Sequence, residues 1–146
     1  FNMINLSKHF TLDELIATNS IYDNTPNEHI IENLKRTCAE MEKVRELFDK
    51  PITVTSGFRS SMVNNSAGGA KNSDHLYGFA VDFKIEGFTP YEIVEKIAES
   101  DIEFKQLLNE FQRWVHISFE PGKNRKEVLT SSTGKVKPVW TAGNHK

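Results

Sequence analysis

Two of the five histidines stand where they could do chemistry. His75 lies in Ser73-Asp-His-Leu-Tyr-Gly-Phe-Ala-Val-Asp82, a segment that passes through Gly78 into an apolar strand. His116 lies in Trp114-Val-His-Ile-Ser-Phe119. Strand alternation sets Ala80 and Asp82 on one face and Val81 and Phe83 on the other. In the same way Val115, Ile117 and Phe119 pack inward, while Trp114, His116 and Ser118 face away. An ionised Asp82 among apolar neighbours needs a strong partner, because burying an unpaired carboxylate is costly. A metal, an arginine or several backbone amides could each serve. A lone histidine in such a strand is ordinarily just hydrogen-bonded. Two histidines with one aspartate, however, form a neutral-nitrogen and carboxylate ligand set, which suits zinc with one position open for water. His9, His29 and His145 read as exposed side chains. The single cysteine, Cys38, excludes an intrachain disulfide and a thiolate-cluster zinc site.

A hairpin brings in a further carboxylate. Gln106–Glu110 and Trp114–Phe119 read as paired strands around the turn Phe111-Gln112-Arg113. Glu110 then pairs with Trp114, and Leu108 with His116. Glu110 falls on the His116 face, displaced diagonally by about 7–8 Å at the backbone. From there it can reach a water bound to a metal on His116, the place of a general base in metal-assisted hydrolysis. A slip of one residue in register would turn it away.

The elements around these residues are legible in outline. Thr11-Leu-Asp-Glu14 forms a capping box, with Phe10 and Leu15 placed as a hydrophobic staple. Thr25-Pro-Asn-Glu28 and Thr89-Pro-Tyr-Glu92 repeat the scheme with proline at the first helical position. The second start opens the longest helix, expected over residues 26–48, with Ile30, Leu34, Cys38, Met41, Leu47 and Phe48 as its apolar stripe. Cys38 is part of that packing. Strands are expected at residues 52–54 and 79–83, and a short helix at residues 90–99. Helices precede most of the strands, which predicts an α+β domain with a small antiparallel sheet packed against the N-terminal helices.

Length and composition bound the function. The 146 residues suit a single domain over residues 1–146, with its core at about 5–129 and a polar surface segment at 130–146. Hydrophobic residues at 38% and charged residues at 26% are globular values. A net charge of −2 argues against a broad phosphate-binding surface and so against nucleic acid. No run approaches the roughly 18 apolar residues of a membrane span, so no membrane insertion is expected. The N-terminus lacks a basic-then-apolar leader, which predicts a cytoplasmic location in the producing cell. A monomer is expected.

Taken together, Ser56-Gly-Phe-Arg59, Asn64 through Gly69, Ser73-x-His75-x-x-Gly78-x-Ala80-x-Asp82, Gln106-Leu-Leu-Asn-Glu110, Trp114-Val-His116-Ile-Ser118 and Asn124-Arg125 resemble a known group. That group is the zinc D-Ala-D-Ala carboxypeptidase family of peptidoglycan peptidases. It includes phage endolysins that cut L-Ala–D-Glu bonds and D-Ala-D-Ala dipeptidases. The resemblance spans about residues 5–129. It implies a fold shared with the hedgehog signalling domain, and Zn²⁺ held by His75, Asp82 and His116. It places Arg59 near a substrate carbonyl or carboxylate, as an oxyanion stabiliser or clamp, with a loop-holding salt bridge as the alternative. Ser73, Trp114 and Ser118 are the accompanying candidates for substrate contact, although Ser73 also suits a simple turn role.

The chain departs from some members, which carry an acid three residues before the last histidine. Arg113 stands there and cannot serve as a base. Other members carry a glutamate six residues before it, and here that residue is Glu110. The expected activity is hydrolysis of peptidoglycan stem-peptide bonds by metal-activated water, acting on cell wall after phage-type release. The alternative is a non-catalytic zinc-bearing module that binds cell wall or protein. Ser56, Ser73 and Ser118 are not expected to be nucleophiles, since no Gly-x-Ser-x-Gly elbow surrounds them.

Overall fold

A computed structural model describes residues 4–131 and 139–146. Among the described residues there are four α-helices: α1 Leu12–Ile16, α2 Glu28–Phe48, α3 Ser61–Ser66 and α4 Pro90–Ala98. Six strands form one sheet: β1 Ile52–Ser56, β2 Ala80–Ile85, β3 Gln106–Glu110, β4 Trp114–Ser118, β5 Glu127–Ser131 and β6 Trp140–Ala142. Their order across the sheet is β1-β2-β4-β3-β5-β6. The α+β expectation holds, but the sheet is mixed, because β3 and β5 run parallel.

Strands β5 and β6 correct the expectation of a polar surface segment at 130–146. Residues 127–131 and 140–142 extend the sheet, and Thr130 and Ser131 are buried. These strands are short and hydroxyl-rich, so the pairing of β5 with β3 and of β6 with β5 leaves little apolar periodicity to read. Residues 132–138 of that segment lie outside the described residues.

Helix caps follow side-chain chemistry. Thr11 and Thr89 each close a complete capping box. Helix α2 starts later than expected. Asn27, not Thr25, is its N-cap and accepts from the Ile30 N–H at 2.9 Å. Thr25 turns its hydroxyl back to the Asp23 carboxylate instead. The buried stripe of α2 runs Ile30, Leu34, Cys38, Met41, Val44 and Phe48. Val44 is fully buried where Leu47 was expected, because steps of three and four from Met41 reach 44 and 48; Leu47 is only partly buried.

One face of the sheet is the core. Val81, Phe83, Leu107, Val115 and Ile117 are all 0% exposed and join one cluster with α2 and α4. Each such side chain contributes about 1.5–3 kcal/mol by leaving water. The hairpin has the expected register, Glu110 opposite Trp114 and Leu108 opposite His116. Strand β2 joins on the other side, with Asp82 opposite His116. A bulge in β1 skips Thr55, so that Val54 faces Phe83 and Ser56 faces Asp82. The bulge therefore brings the Ser56–Arg59 segment to Asp82.

Candidate metal centre

The opposite face of the same strands gathers the ionisable groups. Cross-strand pairing puts Asp82 and His116 side by side, and the 3-10 turn Asp74–Tyr77 swings His75 over them. All three are buried, and their ligand atoms lie within 4.8 Å of one another. His75 Nε2 is 3.2 Å and His116 Nδ1 is 3.0 Å from the same oxygen, Asp82 Oδ1. Tetrahedral zinc with bonds of about 2.0–2.1 Å needs ligand atoms roughly 3.3 Å apart.

The turn carrying His75 is tied down from several sides. The Ser73 hydroxyl accepts from the His75 N–H, and Gly78 ends the turn at φ 78°. Thr37 donates to the Gly78 carbonyl at 2.7 Å, and Asn33 to the Tyr77 carbonyl at 2.9 Å, both from α2. His75 Nδ1 is 2.7 Å from the Gly57 carbonyl oxygen. A carbonyl only accepts, so Nδ1 carries the hydrogen, and the neutral ring turns the lone pair of Nε2 toward Asp82. Two acceptors then face each other across 3.2 Å. A cation or an additional proton must lie between them, and the donor set fits a divalent metal.

Gly57 is required for this arrangement. A Cβ there would sit 2.4 Å from the Leu15 carbonyl oxygen, which accepts from the Phe58 N–H at 2.7 Å. A larger residue would displace the carbonyl that orients His75.

Electrostatics separate the two acids. Burial opposes ionisation of Asp82, but His75 and His116 outweigh it and hold the carboxyl well below its ordinary range. Burial also opposes the charged form of His116, yet the hydrogen bond and charge of Asp82 raise its pKa overall. Glu110 goes the other way. Burial and then the Asp82 charge push its carboxyl up to about 7. Its Oε1 lies 3.8 Å from His116 Nδ1. The Trp114 indole N–H is near enough to favour the Glu110 carboxylate slightly, but its geometry falls short of a hydrogen bond.

Arg59 donates through Nε to Ser56 (3.0 Å), through Nη1 to Asn64 (3.3 Å) and through Nη2 to Asp82 (3.1 Å). It is thus joined to the triad, and the salt-bridge role exists whatever else the residue does. Beside it opens a cavity of about 340 Å³, walled by the loop after α1, the end of β1 and α3. Its lining includes Thr18, Asn19, Ser20, Ser66 and Arg59, with no carboxylate. A second hollow of about 380 Å³ lies by the end of β2 and the start of α4, and includes Trp114 and Arg113.

One candidate contact needs correction. Ser118 is 0% exposed, so its hydroxyl cannot meet a substrate in this conformation. The Ser73 hydroxyl is engaged in capping the turn, in line with the turn role. Trp114 is half-buried and adjoins Glu110 in the register. Asn33 and Thr37, which hold the site from outside, were not singled out from the sequence. Each sits in a helix where its polar character has no local signature, and its partner is distant in the chain.

Comparison with known proteins agrees with this geometry. A segment of 34 residues, 23% of this chain, is 62% identical to a zinc D-Ala-D-Ala carboxypeptidase of Streptomyces albus G. That segment spans only 13% of the Streptomyces protein. The sequence pattern of Peptidase M15 matches residues 8–118, which include every residue of the triad, Arg59 and Glu110. By that match over most of its length, the chain belongs to the Peptidase M15 family.

Proposed function

We propose that this chain is a zinc-dependent peptidase that hydrolyses peptidoglycan stem-peptide bonds, with His75, Asp82 and His116 holding the ion and Glu110 as general base. The carrying observation is the buried His–Asp–His cluster, with ligand atoms within 4.8 Å, and a glutamate 3.8 Å from one of its histidines. When bound, zinc would supply Lewis acidity that activates water and polarises a carbonyl.

The protein's own groups then have separate tasks. Glu110 Oε1 takes a proton from the attacking water and returns it to the leaving amine. Burial and the Asp82 charge raise the Glu110 carboxyl above its ordinary range in the metal-free chain, and a carboxylate so raised is the stronger proton acceptor. Arg59 has five N–H donors, of which three are engaged with Ser56, Asn64 and Asp82. The other two are available to oxyanion charge or to a substrate carboxylate. The hydroxyl-lined cavity beside Arg59 suits the polar backbone of a peptide. No serine needs activation, because water attacks directly.

Zinc-loaded protein incubated with defined muropeptides and followed by mass spectrometry tests this reading. Stem-peptide products with water added across one amide are expected. Binding of the same muropeptides without turnover would favour the non-catalytic module.

A further inference from the structure

We propose that Lys105 is a positioning residue of the metal centre: it clamps to the sheet the turn that delivers His75. The inference rests on the metal-centre reading above, but the clamp can be observed without a metal.

Lys105 immediately precedes β3 and is wedged into the sheet. Its N–H donates to the Ser118 carbonyl at 2.8 Å, and its own carbonyl accepts from Glu127 at 3.1 Å. From this fixed base its ammonium reaches Asp74, 31 residues away in the chain, and contacts both carboxylate oxygens at 3.1 and 2.9 Å. A further bond runs to Glu120 Oε1 at 2.6 Å. Contacts to three oxygens occupy the three-donor ammonium.

Asp74 opens the turn and stands next to His75. Its backbone carbonyl accepts from the Phe79 N–H at 3.1 Å, so both ends of the residue are held. The side chains of Lys105 and Asp74 are 16% and 9% exposed, so water competes for this pair far less than at an open surface. The Gly57 carbonyl orients the His75 ring, and the Lys105–Asp74 pair anchors the backbone that carries the ring. Without Lys105 a largely buried carboxylate would be left uncompensated beside a ligand. It would then seek other partners and take the turn with it.

Outer partners of ligands typically change metal affinity by about 10–100-fold. Lys105→Met should therefore weaken Zn²⁺ binding by about that factor in competition with a chromophoric chelator. The d–d spectrum of the Co²⁺-loaded protein should change as well. Asp74→Ala should cause a similar loss, and the double variant little more, because both break one clamp. Lys105→Arg should restore most of the affinity. In metal-free protein, amide exchange should quicken across residues 74–79 in Lys105→Met while β3 and β4 keep their protection.

A purely structural role would lower thermal stability without moving the cobalt spectrum or the local exchange. Wild-type affinity, spectrum and exchange in folded Lys105→Met would overturn the proposal. If that variant does not fold, the same readouts on Asp74→Ala decide. If the wild type takes up no metal, the metal-centre reading fails, and the exchange comparison still decides the clamp.

Discussion

The two faces of the β2–β4–β3 sheet are built on one backbone and obey opposite rules. On one face Val81, Phe83, Val115, Ile117 and Leu107 are fully buried and apolar. On the other, alternating with them, stand Asp82, His116, Ser118 and Glu110, also largely removed from water but polar or ionisable. The period of two makes this division possible, since neighbouring residues never share a face. The apolar face stabilises the domain, and the polar face uses that stability to hold groups at unfavourable protonation states. Glu110 is the clearest case, with its carboxyl pushed up to about 7. The hairpin turn next to it adds strain. Phe111 and Gln112 both have positive φ, 58° and 57°, with no glycine to relieve it. The Asn109 side chain holds this turn at both the backbone and the side chain of Gln112.

This contrast predicts that changes on the two faces fail differently. The largest effect should come from Glu110→Gln, which keeps shape and removes the basic oxygen. It should lower kcat by about 10²–10⁴-fold at full metal occupancy, with little change in KM. Arg113→Ala, three residues before His116, is the control and should cost far less. Steady-state kinetics on a cleaved muropeptide, with zinc measured in each variant, checks this. On the apolar face, Phe83→Ala should cost about 3–5 kcal/mol of unfolding free energy in urea. The surviving folded protein should keep its metal affinity, since Phe83 points away from Asp82 along the same strand.

A finer test asks whether Glu110 is held against its preference. In the unfolded chain its carboxyl ionises near 4.5, and in the folded metal-free chain at about 7. Between these values the folded state keeps a proton that the unfolded state has released. Stability therefore falls as pH rises through that window. Glu110→Gln removes the penalty. It should stabilise the metal-free protein at pH 8 by about 1–3 kcal/mol and leave it nearly unchanged at pH 4. Equal stability of both proteins at pH 8 would remove the contrast between the faces at this residue.

Much of this division was legible in the residue types. Alternation in Phe79–Phe83 and Trp114–Phe119 set the faces, and the three-residue turn put Glu110 opposite Trp114, on the His116 face. Four features were not legible, for physical reasons. The bulge at Thr55 is set by pairing with β2, which no local signal in Ile52–Ser56 announces. Strand β5 takes its place from β3, and β6 in turn from β5, since residues 127–131 lack a pattern of their own. The contacts that hold the site are long-range and polar: Thr37 to Gly78, Lys105 to Asp74, and Asn24 to the backbone of Ile16, Phe58 and Ser60. Each joins residues whose types are ordinary where they stand. Ser118 was placed on the correct face, but its full burial depends on the neighbouring strands and could not be read from alternation alone.

The central claim is that His75, Asp82 and His116 form one metal centre. Elemental analysis of purified protein, after equilibration with micromolar Zn²⁺ and removal of free ion, tests it most directly. The account predicts about one equivalent of zinc per chain, falling to a small fraction in His116→Ala while that variant remains folded. Absence of bound zinc in the wild type, or full retention in His116→Ala, would contradict it.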